Sequence, residues 1–340
     1  AKAMLKFTIA TLAIVALLLI GALVGGVWIW AGLIYITVFA YAFDRLTPLF
    51  FQNADTDAEF PTSDALGVAL AFAHFIVLGA VVYTMVHNAT LPMLQKIALF
   101  CATALFAGQI GHPNAHELIH RPNRLLRRLG KAVYMSILMG HHASAHPLVH
   151  HVHVGTSNDP VSAPKGRGFW RFFGRAWIGS YRAGYAAESK RHKGQGLHPY
   201  TLYRLGALAS LLGAFAVGGV SGVLVWALLG GYAQLQIFLS DYVQHYGLRR
   251  KMFENGRLES VSARHSWNTP HRFSGAMMLN APRHSDHHTH PSRSYPSLEL
   301  LEGEMPMLPY SLPMMAVIAL MPPLWRRVMD SRVETWENRA

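Results

Sequence analysis

The sequence predicts an all-α integral membrane protein with six transmembrane helices and a histidine-rich cytoplasmic domain. Three observations lead to this fold class. Hydrophobic residues make up 51% of the 340 residues, charged residues make up only 14%, and the apolar residues fall in long blocks. Soluble domains contain about 25% charged residues. Since a spanning helix needs about 20 mostly apolar residues, most of these blocks are long enough to cross a bilayer.

The apolar blocks predict the six spans in chain order. The first tract, 7–43, is broken at Gly25-Gly26 and therefore predicts a hairpin of two spans rather than a cleaved signal peptide. The remaining spans are predicted at 65–86, 94–111, 202–217 and 222–239, and the last two are joined at Gly218-Gly219. A shorter stretch, 314–324, is interrupted by two prolines and is expected to be buried or interfacial.

Lysine and arginine placement predicts the orientation of these spans. The stretch 112–204 contains 14 of these residues and 247–340 contains 12, whereas the links 90–92 and 218–221 contain none. By the positive-inside rule, the two long stretches are cytoplasmic. The amino terminus, which carries Lys2 and Lys6, falls on the same side, as six spans require. The net charge of +12 is therefore interpreted as membrane topology, and no nucleic-acid partner is expected.

This topology predicts four segments and a location. They are transmembrane helices one to four in 1–111, a cytoplasmic histidine segment in 112–201, helices five and six in 202–246, and a second cytoplasmic histidine segment with the C-terminal tail in 247–340. We expect a bacterial-type inner membrane, with both termini in the cytoplasm. The loop 44–64 fits least well, because it must also be cytoplasmic and yet contains only Arg45.

Histidine is the unusual residue of this sequence, with 20 copies, and many of them cluster in four short patterns. Residues four apart lie on one face of a helix, so that two imidazoles at this spacing can bind one metal ion. In the second pattern, the spacing predicts that His146 and His150 share a face while His151 points toward a second metal. The candidate ligands are His116, His120, His146, His150, His151, His245, His284, His287 and His288.

Nine imidazoles at one membrane face are enough for two metal ions. Neutral nitrogen donors suit iron, zinc, copper or nickel rather than magnesium or calcium. Zinc would leave the hydrophobic bundle without a role, whereas two redox irons at its mouth favour oxygen chemistry on a lipid-soluble substrate. The single cysteine, Cys101, excludes a disulfide framework and a thiolate iron–sulfur cluster.

The motifs HELIH, HxxxHH followed by GTSNDP, DYVQHYG, HSWN and RHSDHHxHP occur in this order between about residues 111 and 332. Together they resemble the membrane alkane 1-monooxygenase family, which is related to xylene monooxygenase and to membrane fatty-acid desaturases and hydroxylases. The resemblance implies two non-haem iron ions held by the nine histidines, with no catalytic residue beyond these ligands. Departures from the usual pattern occur at Ile119, Arg121, Ala145, Val149 and Asn158, none of which is a ligand position.

The resemblance also implies the reaction, which is hydroxylation of the terminal methyl group of an alkane-like substrate with O2. One thiol cannot build a rubredoxin, which needs four thiolates. Electrons are therefore expected from a separate rubredoxin or ferredoxin-type protein. Basic residues beside two of the motifs are candidates for docking this carrier, although membrane topology alone also explains them; they are Arg121, Arg124, Arg249, Arg250 and Lys251.

Further residues receive supporting roles. A ligating imidazole usually donates its other N–H to a carboxylate or carbonyl. The acids inside the motifs are therefore candidate acceptors, with helix caps or surface charges as the alternative; they are Glu117, Asp159, Asp241 and Asp286. Aromatic residues in the spans are candidate channel residues, with packing as the alternative; they are Trp28, Trp30, Phe39, Phe72 and Phe75. The remaining histidines near the second motif, His141, His142 and His153, are expected beside the centre or on the surface, and a ligand role for one of them stays open.

Several other functions remain open from the residues alone. Within the superfamily, the chain could oxidise alkylbenzene methyl groups or act on acyl chains as a desaturase or hydroxylase. The HELIH motif alone would also suit a zinc protease, but such a site needs only three ligands. A metal transporter is the non-enzyme alternative and predicts polar groups inside the spans, for which His74, Gln234 and Gln236 are the candidates.

Overall fold

The structure, a computed structural model, describes residues 2–56, 58, 60–194 and 196–339. The side chain of Lys2 and the end residues Ala1 and Ala340 lie outside the described residues. The helices, in chain order, are α1 (Lys2–Val24), α2 (Val27–Leu46), α3 (Pro61–His87), α4 (Met93–His120), α5 (Arg124–Ser136), α6 (142–153), α7 (Phe169–Arg191), α8 (Pro199–His245), α9 (Arg272–Met277), α10 (His284–Thr289), α11 (Leu312–Ala319) and α12 (Pro322–Glu337).

Among the described residues, five helices are long and apolar enough to cross a membrane, namely α1, α2, α3, α4 and α8. Two predicted breaks are confirmed. Gly25 and Gly26 have φ angles of 72° and 61° between α1 and α2. The 47-residue α8 has non-helical dihedrals at Gly218 and Gly219, where φ of Gly219 is 58°. Because L-residues rarely adopt such angles, these glycines allow the chain to turn and divide α8 into arms 199–217 and 220–245.

The histidine segments adjoin the ends of the spans. Helix α4 continues to His120 and α8 begins at Pro199, so both helices cross the segment boundaries predicted at 111 and 202. Helices α10 and α6 carry further histidines in short stretches. Two π-helical turns interrupt this region, at Ala107–Gly111 within α4 and at His146–His150 within α6. Such turns contain one residue more than a normal turn and often occur at functional sites.

The end of α2 and the loop that follows it pack against the second histidine segment. Asp44 is buried, and its carboxylate accepts hydrogen bonds from the backbone N–H groups of Phe273 (2.8 Å) and Ser274 (3.2 Å) at the start of α9. The buried Arg283 side chain donates to Asn53 Oδ1 at 2.7 Å. These contacts fix the loop on the side of the bundle that carries the histidines.

The prolines of the stretch 314–324 separate two helices. Helix α11 is too short to span, buries Leu312 and Met315, and packs against α8. Helix α12 begins at Pro322 and buries Trp325. The stretch is therefore partly buried at the edge of the bundle, as the sequence predicts.

Gly130 permits the closest packing between α4 and α5. A Cβ at this position would lie 2.8 Å from the carbonyl oxygen of Ala115 and 2.9 Å from Leu118 Cβ. Gly130→Ala should therefore destabilise the protein by about 1–3 kcal/mol, measured by thermal unfolding in micelles. The matched control is Gly79→Ala in α3, where a Cβ would meet nothing within 4 Å. A helical alanine should there be neutral or stabilising, so equal losses in both variants would contradict this packing.

Candidate metal centre

The structure brings the nine candidate histidines together in two groups. Within each group, one ring nitrogen of every member lies within 4.8 Å of those of the others. The first group is His116, His120, His146, His151 and His287, and the second is His150, His245, His284 and His288. His141, His142 and His153 belong to neither group, although the ring of His142 stacks on that of His146 with centroids 5.1 Å apart.

The division within α6 differs from the sequence prediction. His146 and His151 share the first group, whereas His150 belongs to the second. The prediction assumed an α-helix, in which residues four apart share a face. Because His146–His150 forms a π-helical turn, residues five apart are aligned instead. Helix α10 is also divided, since His287 joins the first group while His284 and His288, four apart, join the second.

The same ring nitrogen, Nε2, is directed inward in both groups. In the first group, the Nε2 atom of His146 lies 2.7 Å from that of His116 and 2.9 Å from that of His151. In the second, the Nε2 atom of His284 lies 3.0 Å from that of His245 and 3.1 Å from that of His288. One proton can bridge one pair of nitrogens, so it cannot satisfy three that converge.

A cation satisfies these nitrogens. Zinc–imidazole bonds are about 2.0–2.1 Å long, so two ligand nitrogens at right angles around such an ion are about 3 Å apart. The Nε2 atoms of His120 and His150 are buried and have no hydrogen-bond partner among the described residues. A buried nitrogen without a hydrogen-bond partner raises the free energy of the folded protein. The two groups therefore fit two ions of a transition metal that prefers nitrogen donors.

Burial keeps five of these imidazoles, those of His146, His151, His284, His287 and His288, in the form that binds metals. Burial, with repulsion from neighbouring rings, lowers the pKa of His146, His151 and His287 well below the ordinary histidine value. The same causes lower the pKa of His284 and His288. A neutral imidazole offers a free lone pair, whereas an imidazolium ion does not. The site is thus prepared for cations without loss of a proton from these rings.

Asp159 forms a hydrogen bond with His150. Its Oδ2 atom accepts a hydrogen bond from His150 Nδ1 at 2.8 Å and another from Ser162 Oγ at 2.6 Å. Burial alone would lower the pKa of His150, but the Asp159 carboxylate raises it above the ordinary value. The contact occupies Nδ1 and leaves Nε2 directed into the second group, as in other carboxylate–histidine–metal arrangements.

The HSWN segment positions the second group in a way that the sequence did not reveal. His245 donates through Nδ1 to the backbone carbonyl of His265 at 3.3 Å. Asn268 accepts from the Ser285 N–H at 2.9 Å and donates to Ser285 Oγ at 2.7 Å. Because Ser285 follows His284, these bonds fix the first turn of α10. The signal for this role is the HSWN motif itself.

Two of the predicted acids make other contacts. Asp286 binds Arg293 at 2.7 Å and His290 at 2.8 Å, and it therefore orders the chain that follows α10. Glu117 pairs with Arg121 at 3.4 Å and accepts from the backbone N–H of Tyr295 at 3.2 Å. The partners found for these two carboxylates among the described residues include none of the nine imidazoles.

Asp241 lies beside the histidines but does not bind His245. It is buried and lines a small cavity with His142, His146, His150 and Asp159. The direct bond to His245 that the sequence suggested is not formed, because His245 Nδ1 is directed to the carbonyl of the HSWN segment. Asp241 therefore contributes a carboxylate beside both histidine groups.

The five candidate channel aromatics do not line one cavity. Trp28 and Phe72 are exposed. Phe39 lines an apolar cleft of about 400 Å³ with Tyr35 and Phe273. Trp30 and Phe75 are half-buried and pack against the core. The five side chains lie on different faces of two helices, α2 and α3, because apolar spans place aromatic side chains toward both lipid and protein.

Three of the five candidate docking residues contact other groups of the protein, and two remain exposed. Arg121 pairs with Asp64 at 2.8 Å, and Arg250 donates to the carbonyl oxygens of Glu259 (2.6 Å) and Val152 (3.1 Å). Arg249 is half-buried, and one of its N–H groups donates to a backbone carbonyl at 3.3 Å. The cations that remain exposed for a partner are Arg124 and Lys251.

Apolar spanning helices and two buried histidine groups define a multi-pass membrane protein with a candidate two-metal centre. The fatty acid desaturase family matches residues 89–317, which contain all nine imidazoles. The chain is 30% identical to Alkane 1-monooxygenase 1 of Pseudomonas aeruginosa, over 90% of this chain and 84% of that protein. It belongs to the alkane 1-monooxygenases, within the fatty acid desaturase family, and the resemblance seen in the motifs is confirmed.

Other relatives agree with this assignment. Alkane 1-monooxygenase 2 of Alcanivorax borkumensis is 28% identical over 90% of this chain and 84% of its own length. The xylene/toluene monooxygenase hydroxylase component of Pseudomonas putida is 24% identical over 94% of this chain and 87% of its own length.

Proposed function

We propose that this chain is a di-iron monooxygenase that hydroxylates the terminal methyl group of alkanes with O2 and external electrons. The observation that carries the proposal is the pair of buried histidine groups in a member of the alkane 1-monooxygenase family. All nine histidines of these groups are proposed to be iron ligands. Bound iron would supply the redox chemistry that inserts oxygen into an unactivated C–H bond.

The protein would position the substrate beside the irons and keep water out of the site. We propose six spans, counting the two arms of α8 separately, with both termini and the iron site on the cytoplasmic side of an inner membrane. An alkane has no polar group, so it must be selected by the shape of an apolar path. One methylene contributes only about 1 kcal/mol there, which predicts a broad preference for chain length.

The polar groups within the spans argue against a transporter. His74 Nε2 lies 2.8 Å from Ser136 Oγ. Gln234 and Gln236 donate to backbone carbonyl oxygens of neighbouring helices at 2.8 Å and 2.7 Å. These side chains connect helices to one another instead of forming a row of free ligands. A zinc protease site would use three ligands and leave the other histidines without a role.

The purified protein should hold about two irons per chain, one for each histidine group, and little zinc. With a reducing system, it should convert linear alkanes into 1-alcohols whose oxygen comes from labelled O2. Metal analysis and mass spectrometry of the products measure both results. Faster oxidation of xylene than of any alkane, desaturated products, or oxygen derived from water would contradict the proposal.

We propose that electrons come from a rubredoxin or ferredoxin-type protein steered to Arg124 and Lys251. The double reversal Arg124→Glu and Lys251→Glu should slow carrier-driven turnover severalfold and flatten its dependence on salt, because complementary charge accelerates association. Iron content should not change. Reversal of the exposed Arg257 and Arg339 is the matched control. Equal rates for both variants across ionic strengths would exclude this docking surface.

A further inference from the structure

A cleft outside the histidine groups is lined by positively charged side chains. It lies between the turn that precedes α7 and the start of α12, has a volume of about 610 Å³, and is lined by Lys165, Arg167, Arg171 and Arg326. Lys165 pairs with Glu334. The three guanidinium groups form no ion pair with any residue that the structure describes. Guanidinium groups gathered on one concave surface focus a positive potential there, which attracts anions.

The frame of this cleft is fixed by the cytoplasmic end of α8. The backbone N–H of Gly166 donates to Tyr246 Oη at 2.7 Å, and Tyr242 Oη donates to the carbonyl oxygen of Arg167 at 2.7 Å. Both tyrosines are buried in the core. These bonds fix the backbone of the turn that carries Arg167, which lowers the entropic cost of binding an anion.

An apolar surface adjoins the cleft. Trp170 lines it with 53% of its surface exposed, and its indole N–H donates to the carbonyl oxygen of Leu320 at 3.1 Å, just past the end of α11. Val317 and Met321 are also exposed there. In a membrane protein, tryptophan favours the level of the lipid headgroups, where apolar surface meets charge. The cleft thus lies at the border between acyl chains and water.

We propose that this cleft binds the phosphate of an anionic phospholipid, whose acyl chains lie along Val317 and Met321. Arginine presents a planar fork of N–H donors that matches phosphate oxygens. Basic pockets beside membrane helices recognise anionic headgroups in this manner. The apolar border favours a lipid over a water-soluble acidic protein, which would gain nothing from these exposed side chains.

The test measures lipid binding to the full-length protein by native mass spectrometry, with phosphatidylglycerol or phosphatidylcholine added to the micelles. Wild type should retain phosphatidylglycerol preferentially. The variant Arg167→Gln/Arg171→Gln/Arg326→Gln should lose this preference by at least about tenfold in apparent affinity. The control variant Arg182→Gln/Arg257→Gln/Arg339→Gln removes the same charge from exposed positions and should bind as wild type does. Should the triple variant misfold, Arg171→Gln/Arg326→Gln replaces it, since both side chains are exposed.

Several results would overturn the proposal. Equal losses in both variants would mean that net charge, and not the cleft, attracts the lipid. Displacement of the lipid by inorganic phosphate at similar concentration would identify a soluble anion as the ligand. Unchanged lipid binding together with slower carrier-driven turnover would assign the cleft to an acidic electron carrier.

Discussion

Replacement of His287 by alanine should lower the amount of iron bound by the first histidine group and abolish hydroxylation. The Nε2 atom of His287 lies 3.2 Å from that of His151, which places it in the first group although its sequence neighbour His288 belongs to the second. Loss of this ligand leaves the first group with four of its five donors, so that its affinity for iron falls and its geometry changes, while the second group keeps all four of its donors. Hydroxylation is lost because it needs both irons in their native arrangement. Plasma mass spectrometry and Mössbauer spectra would measure the result.

Two companion variants make this test specific. His284→Ala should remove the other ion, so that the iron left behind differs spectroscopically between the two variants. His192→Ala should keep all of its iron, because this ring contacts His198, with centroids 5.3 Å apart, and lies outside both groups. Equal iron loss in His192→Ala would refute the ligand assignment. Identical residual spectra for the first two variants would refute the division into two groups.

Sequence spacing predicts which imidazoles converge but not how they divide between the two groups. The i, i+4 rule holds for His116 and His120 because α4 is regular there. It fails at His146 because Pro147 follows it inside the turn and has no N–H to donate. A carbonyl that loses its partner allows the helix to widen, and Pro113 follows the other π-helical turn in the same way. Proline within a histidine motif is therefore the signal that could have corrected the prediction.

Helical geometry also explains why some of the candidate acids do not reach a ligand ring. Asp286 lies two residues after His284, which turns its side chain about 200° around the helix and away from that ring. Glu117 likewise points away from His116. Asp159, in contrast, lies in a loop after α6, where no periodicity applies and only the folded chain brings it to His150. The spans were predictable because hydropathy is a local property, whereas this contact depends on tertiary structure.

Replacement of Asp159 should have the second-largest effect of a single substitution. Asp159→Ala removes the acceptor for His150 Nδ1 at 2.8 Å and leaves that buried N–H unpaired. The imidazole can then rotate or change tautomer, and its Nε2 atom becomes a weaker donor. Loss of such a partner lowers metal affinity by about 10–100-fold. Asp159→Asn keeps an acceptor oxygen but loses the charge, so it should lie between Ala and wild type. Competition with a chelator measures all three affinities.

Asp286→Asn is the control that separates metal tuning from folding. Asp286 is as buried as Asp159 and lies within a histidine motif, but it pairs with Arg293 and not with a candidate ligand. Its substitution should lower the unfolding temperature while iron affinity stays within about threefold of wild type, since no ligating ring loses its acceptor. If Asp286→Asn loses iron as readily as Asp159→Asn at equal stability, carboxylates around the centre act through general charge. If only Asp159→Asn loses iron, the single hydrogen bond to His150 is the cause.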